Sequence, residues 1–295
     1  VKVLHVNTEK GWRGGEQQLF YLVKGLKERG IEVWVACKRG EELEKRCKEE
    51  GIPTFPLKGN QTSDIFRIGI VGRDFDIVHA HTAKAHTVAA FSKKFHKKPI
   101  VYTRRVDFPP KNNPLTLLKY KLTDLTVCVS KEVERIVKER FPNLKTAVIY
   151  SVADKSLEKK VNFEVTKNYR NRYKGKKIIG TVAALTSQKN IPNLIEAARI
   201  VLKERNDVIF TVFGKGHLEK ELKKLVKEKG IENHFVFEGF KKDIQNYIKA
   251  FDLFVLPSDY EGFSGALLNA MLLKVPVIST EAGGAKEVVE NEKTG

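Results

Sequence analysis

Two α/β domains, each built on a parallel, doubly wound sheet, are what this 295-residue chain predicts, and three observations carry that reading. Short apolar runs alternate with amphipathic helical patterns from the first residue onward, the order that builds parallel strands joined by crossover helices. The length exceeds what one hydrophobic core comfortably organises. The alternation stops once, in a polar and charged stretch between residues 151 and 177, and then restarts.

Apolar runs place strands at Val1–Val6, Glu32–Cys37, Thr54–Leu57, Ile77–His79, Ile100–Tyr102, Leu125–Val129 and Ala147–Ile149 in the first half. Apolar residues at helical spacing place helices at Glu16–Arg29, Glu41–Glu50 and Lys131–Arg140. After the polar stretch, strands are expected at Ile178–Ala184, Val208–Phe213, Phe235–Phe237, Phe251–Leu256 and Val275–Ser279, with helices at Ile191–Glu204, His217–Lys229, Ile244–Ala250 and Ala266–Leu273. The predicted organisation is a Rossmann-like domain over residues 1–150, a linker over 151–177 and a second Rossmann-like domain over 178–295. A ligand is expected in the cleft between them, at the strand C-termini.

Composition narrows the class. A hydrophobic share of 41% with 31% charged residues describes a soluble globular protein rather than a disordered or fibrous one. The longest apolar runs are strand-sized, which excludes a transmembrane helix, and the N-terminus enters directly as a strand, unlike a signal peptide. Cys37, Cys47 and Cys128 are odd in number and far apart, so they read as reduced thiols of a cytoplasmic protein. Net charge is +18, of which residues 1–150 carry +12. That excess favours a phosphorylated ligand or an anionic membrane face. Without an RNP pattern, helix-turn-helix or zinc finger beside it, nucleic acid is not an expected partner.

The segment Pro257–Thr280, PSDYEGFSGALLNAMLLKVPVIST, concentrates the chemistry. A strand stops at Pro257, an acidic turn with Glu261 and Gly262 follows, and an apolar helix opens towards that turn. Free N–H groups and the helix dipole make such a strand–turn–helix an anion site. Glu261 can accept hydrogen bonds from hydroxyl groups at its mouth, and Asn269 follows on roughly the same helix face. In the first half, Gly14 and Gly15 in GWRGGEQQ let backbone approach a phosphate at a helix start. Lys189, in the loop after Ile178–Ala184, could meet a diphosphate. His79 and His81 fall on one face of a strand, His81 being the better placed for the cleft. Asp74 and Asp76 resemble a metal-binding acid pair but precede a buried strand, so a capping or surface role is expected and no metal is called for.

In their order, these pieces resemble the retaining glycosyltransferases of family 4, which have the GT-B fold. The matching motifs are the GG loop, DIVHAH at 76–81, QKN before NLIEA, FGKGHLEKEL at 213–222, the pair Gly239–Phe240, PSDYEGF at 257–263 and EAGGAKEVVE at 281–290. TEKGWRGGEQQ and YTRRVDFPP look most like enzymes of lipopolysaccharide-core or surface-glycan assembly. The resemblance implies a nucleotide-sugar donor (UDP-, GDP- or ADP-linked) held mainly by the second domain, a glycan or lipid-linked acceptor held by the first, and no cofactor or metal. It further implies that Lys189 holds the donor diphosphate and that Glu261 contacts the transferred sugar; His81, from its place at the strand edge, is a further catalytic candidate. Gly15 would offer its N–H to the distal phosphate. Gly214, Phe263, Ser264 and Gly265 would line the donor, Gly239 and Phe240 its base, and Asn269 its ribose. Apart from the resemblance, Gly14 at the helix start and the two adjacent arginines Arg104 and Arg105 at a strand end are candidates to bind acceptor or phosphate.

Three departures from the family pattern are visible. Ala184 stands where an arginine is usual, Asn269 where a glutamate is usual, and Arg105 near a position often held by histidine. Ala184 and Asn269 leave open a catalytically weak nucleotide-sugar-binding protein; a nucleotide-sugar 2-epimerase on the same fold is a further alternative, which the EGF motif disfavours. The chain ends at Gly295, where family members continue, so the second domain is expected to be incomplete. Work at the inner membrane face from the cytoplasm is the expected setting.

Overall fold

The computed structural model describes residues 1–295 and divides into two units, Val1–Val152 and Ala153–Gly295. In the first, strands β1 (Lys2–Val6), β2 (Glu32–Lys38), β3 (Thr54–Leu57), β4 (Ile77–Ala80), β5 (Ile100–Arg104), β6 (Leu125–Cys128) and β7 (Thr146–Val148) form one sheet in the order β3-β2-β1-β4-β5-β6-β7. All its pairings are parallel. Helices α1 (Gly14–Glu28), α2 (Glu42–Glu49), α3 (Gln61–Val71), α4 (Ala83–His96), α5 (Pro114–Leu122) and α6 (Lys131–Arg140) make the connections. In the second unit, β8 (Lys177–Val182), β9 (Val208–Phe213), β10 (Phe235–Gly239), β11 (Leu253–Leu256) and β12 (Val277–Ser279) pair in parallel in the order β10-β9-β8-β11-β12. Its helices are α7 (Phe163–Arg172), α8 (Ile191–Glu204), α9 (Glu219–Glu228), α10 (Ile244–Ile248) and α11 (Gly265–Leu272).

The second sheet is buried on both faces, as parallel sheets require. Ile178, Phe213, Phe254 and Leu256 pack with Leu267 and Leu273 of the α11 segment in one cluster. Phe210, Val212, Ile191 and Leu194 form another with Leu222 of α9. In the first unit, Leu19 and Val23 of α1 meet Val33 and Val35 of β2 and Cys47 of α2. Cys37, Cys47 and Cys128 are buried and unbridged, and burial pushes each thiol up to about 12, which suits a packing role.

Two differences from the sequence expectation matter. Residues 151–177 carry α7, and Leu157, Val161 and Tyr169 are buried in the second unit's core. Asn162 caps that helix through Glu164 and Val165, while its own N–H donates to Asn246 Oδ1 at 2.7 Å. The polar composition reflects a short helix with one buried face. In addition, α3, α4 and α5 occupy stretches without a clear apolar stripe. Small and hydroxyl residues bury α4 along most of its circumference, and Gly69 of α3 leaves room for Phe95, whose ring would lie 2.9 Å from an added Cβ.

Each sheet has one point where the strand order reverses, between β1 and β4 in the first and between β8 and β11 in the second. A crevice opens outside the strand carboxyl ends at such a point, where successive connections leave in opposite directions.

Candidate functional site

At the reversal point of the second unit, the turn Ser187–Lys189 follows β8, and Asn190 in the left-handed conformation starts α8. The loop after β11 is tied to this turn. Asp259 N–H donates to Gln188 O at 3.0 Å, Gln188 Nε2 to Tyr260 O at 2.9 Å and Asn190 Nδ2 to Asp259 Oδ1 at 2.6 Å. Between these anchors Lys189 Nζ forms an ion pair with Glu261. The Lys189 side chain is 18% exposed and that of Glu261 9%, so both charges are largely withdrawn from water. Ser258 Oγ donates to Glu261 at 3.4 Å, and the Glu261 carbonyl accepts the Gly284 N–H at 2.8 Å. Ser264 caps α11 through Leu267, so Phe263, Ser264 and Gly265 form the start of that helix, with Asn269 half-buried one turn on.

Gly214 and Gly239 lie at the carboxyl ends of β9 and β10. Gly214 has φ +142°, and an added Cβ would meet Ala183 O at 1.9 Å, so this glycine is required for backbone crossing. Its N–H donates to Gly239 O at 2.9 Å. Phe240 is exposed. Lys215, a residue that sequence reasoning passed over, accepts the Leu185 N–H at 3.1 Å through its carbonyl. Its backbone therefore runs beside the loop that holds Ala184. The signal was available in FGKGH, but only the β8–β9 register brings Lys215 next to that loop.

At the reversal point of the first unit, three histidines meet. The register pairs His5 with His79 across β1 and β4, and alternation adds His81 to the same face. His5 Nδ1 lies 3.0 Å from His81 Nε2, and His79 Nε2 lies 2.7 Å from Thr103 Oγ1. Arg105 Nη2 reaches His81 Nδ1 at 3.4 Å. A guanidinium can only donate, so His81 accepts at Nδ1, carries its proton at Nε2 and donates to His5. His5 then carries its proton at Nε2, an atom that is buried without a protein partner. Burial pushes the His5 imidazole down to about 3. Burial first, then the neighbouring histidines and Arg105, holds His79 and His81 well below the usual range. All three are neutral at pH 7. Their ring nitrogens lie within 4.8 Å of one another, yet the guanidinium against His81 disfavours a divalent cation there.

Gly15 sits beside this cluster, with Arg105 Cδ 3.9 Å from an added Cβ, while Gly14 faces open space. Glu16 fixes the helix start, accepting from Asn7 Nδ2 and Arg13 N at 3.1 Å each. Of the two adjacent arginines, only Arg105 joins the cluster. Arg104 is buried, donating to the Tyr120 hydroxyl at 3.1 Å and to the Phe108 carbonyl, so its guanidinium holds the loop after β5 and is not offered to a ligand. Asp76 accepts the Lys2 N–H at 2.7 Å, a structural tie between β1 and the entry to β4.

Residues 12–157 match the family model described as Glycosyltransferase Family 4, and residues 162–295 match that described as Glycosyl transferases group 1. A poly(ribitol-phosphate) alpha-N-acetylglucosaminyltransferase of Staphylococcus aureus is 30% identical over 45% of the chain. The UDP-Gal:alpha-D-GlcNAc-diphosphoundecaprenol alpha-1,3-galactosyltransferase of Escherichia coli is 28% identical over 75%. The chain spans 27% of the first relative's length and 62% of the second's. Among solved structures, Anabaena Alr3699/HepE in complex with UDP-glucose superimposes with a TM-score of 0.84 at 22% identity, covering 98% of this chain and 83% of that one. That likeness shows the fold, the two-domain GT-B arrangement of parallel sheets.

Proposed function

We propose that this chain, which belongs to the glycosyltransferases through a Family 4 module at residues 12–157 and a group 1 module at residues 162–295, moves a hexose from a nucleotide-sugar donor to a surface-glycan or lipid-linked acceptor. The transfer proceeds with retention and without a metal ion. The observation that carries the reading is the withdrawn Lys189–Glu261 pair at the strand-order reversal of the second unit. A donor supplies a partner for each charge. The diphosphate takes Lys189, and the sugar hydroxyls donate to the released Glu261 carboxylate. Phe263, Ser264 and Gly265 present the N-terminal end of α11 to sugar or phosphate. Gly239 and Phe240 flank the base, and Asn269 bonds the ribose. Relatives that bind UDP-glucose or use a UDP-sugar and an undecaprenyl diphosphate acceptor favour a uridine donor and a lipid-linked acceptor here.

In the first unit, Arg105, His81 and the Gly14–Gly15 helix start supply the acceptor or phosphate contacts. The acceptor oxygen bonds to the anomeric carbon on the face from which the diphosphate departs. The anomeric carbon–oxygen bond to the diphosphate breaks, and the acceptor proton passes to the departing phosphate oxygen. The protein then contributes position and charge stabilisation rather than a nucleophile.

A panel of UDP-, GDP- and ADP-sugars screened by thermal shift tests the donor, because a bound ligand stabilises by mass action. Nucleotide release then separates turnover from binding. A background signal equal in wild type and Lys189→Ala counts against an enzyme. A donor-dependent shift without release would favour the second reading, a weak transferase serving as a binding protein, which Ala184 and Asn269 motivate.

A further inference from the structure

We propose that the loop after β5 and helix α5 form a docking surface for an anionic lipid bilayer. Phe108, Leu115, Leu117 and Leu118 are 52%, 53%, 57% and 42% exposed, four large apolar side chains within eleven residues. Pro114, Leu117, Leu118 and Lys121 occupy one helical face by their three- and four-residue spacing, and all are exposed. The opposite face turns Thr116 and Tyr120 into the unit. Helix α5 is therefore anchored on one side and apolar on its solvent side, an unusual arrangement for a surface helix.

Charge identifies the occupant. Residues 108–123 contain no acidic residue, and Lys111 and Lys121 are exposed there, whereas Lys119 turns inward and donates to Thr87 Oγ1 at 3.1 Å. An apolar face rimmed by lysines matches the interface of a membrane, where leucine and phenylalanine enter the acyl boundary and lysines meet anionic headgroups. A self-association face or a protein partner gains nothing from an acid-free lysine rim unless it is itself acidic. Position agrees, since the loop begins directly after Arg105 at the carboxyl edge of the sheet, beside the histidine cluster. A bilayer engaged there brings the polar end of a lipid-linked acceptor to the edge proposed to bind it. The surface deepens the lipid-linked reading and rests on it for its purpose, while vesicle binding itself requires no transfer chemistry.

Co-sedimentation of the full chain with vesicles tests the assignment, using phosphatidylcholine alone and phosphatidylcholine with 30% phosphatidylglycerol. Wild type is expected to sediment with the anionic vesicles at least tenfold more than with neutral ones, and less as salt rises. Leu117→Ser with Leu118→Ser, both exposed, is expected to lose most of that binding while keeping its melting temperature. Phe66→Ser with Ile70→Ser alters an exposed apolar pair elsewhere, on α3, and is expected to bind as wild type. Binding unchanged in the α5 variant, binding lost in the α3 variant, or wild type passing over anionic vesicles and eluting as a dimer would each overturn the proposal. Nucleotide release without vesicle binding removes the docking surface alone. Vesicle binding without any donor-induced thermal shift leaves the surface standing and removes the transferase reading.

Discussion

Lys189 and Glu261 neutralise each other in a largely dry setting, and this determines what a substitution at either does. Lys189→Ala removes the cation proposed for the diphosphate and leaves the buried Glu261 carboxylate without its counter-charge. Nucleotide release is expected to fall by about 100-fold, with a stability cost of about 1–3 kcal/mol read by urea titration. Lys215 offers a separate prediction. Its carbonyl is bonded to the Leu185 N–H beside Ala184 and its side chain is exposed, so we predict that its ammonium adds a second positive charge for the donor diphosphate. Lys215→Ala should weaken donor binding about tenfold, equivalent to roughly 1.4 kcal/mol, without altering the melting temperature of the donor-free protein. Equal donor affinity in the two proteins would rule Lys215 out. The legible residues were those that motif order fixes locally, Lys189 and Glu261 among them. Arg104 and Arg105 were indistinguishable in sequence because a single residue step decides which one turns inward. His5 remained invisible because its partners come from β4, more than seventy residues away, through a strand register that no local pattern encodes.

Among elements, the strands were readable and several helices were not, for a physical reason. A strand buried on both faces advertises itself as an apolar run, whereas α4 buries Ala85, Thr87, Ala89, Ser92 and two histidines, residues without hydrophobic periodicity. The connection after β9 shows how a glycine read as ligand-binding is held by packing. Gly214→Ala must place a methyl group 1.9 Å from Ala183 O at a backbone angle of +142°. The expected loss is about 2–4 kcal/mol, with the β8 and β9 loops displaced and donor binding lost along with stability. Gly14→Ala meets open space and keeps the helix start, so its melting temperature should stay within about 2 °C of wild type. If Gly214→Ala proved as stable as Gly14→Ala, the crossing of these two loops would be wrong.

At the scale of the whole molecule, the two units differ in how acid reaches them. Burial lowers His5 and His86 to about 3 and His96 to about 4, and holds His79 and His81 well below their usual range; all five belong to the first unit. An unfolded histidine takes its proton near pH 6.5, whereas these folded ones stay neutral until far lower pH. Their contribution to stability is therefore complete above pH 6.5 and is lost as pH falls towards the folded values. The slope is roughly 1.4 kcal/mol per pH unit for each histidine. Paired carboxylates such as Asp124 and Asp252 sit below their usual range and leave the window from pH 6.5 to 5 to the histidines. Both tryptophans, Trp12 and Trp34, also lie in the first unit, so their fluorescence reports that unit while far-UV circular dichroism reports both. Between pH 7.5 and pH 5, the urea midpoint seen by fluorescence should fall by at least about 1 M, given a slope of roughly 1–3 kcal/mol per M. The part of the dichroism transition that fluorescence does not see should move much less. Two midpoints shifting together by the same amount would mean that the histidine cluster does not govern the first unit's response to acid.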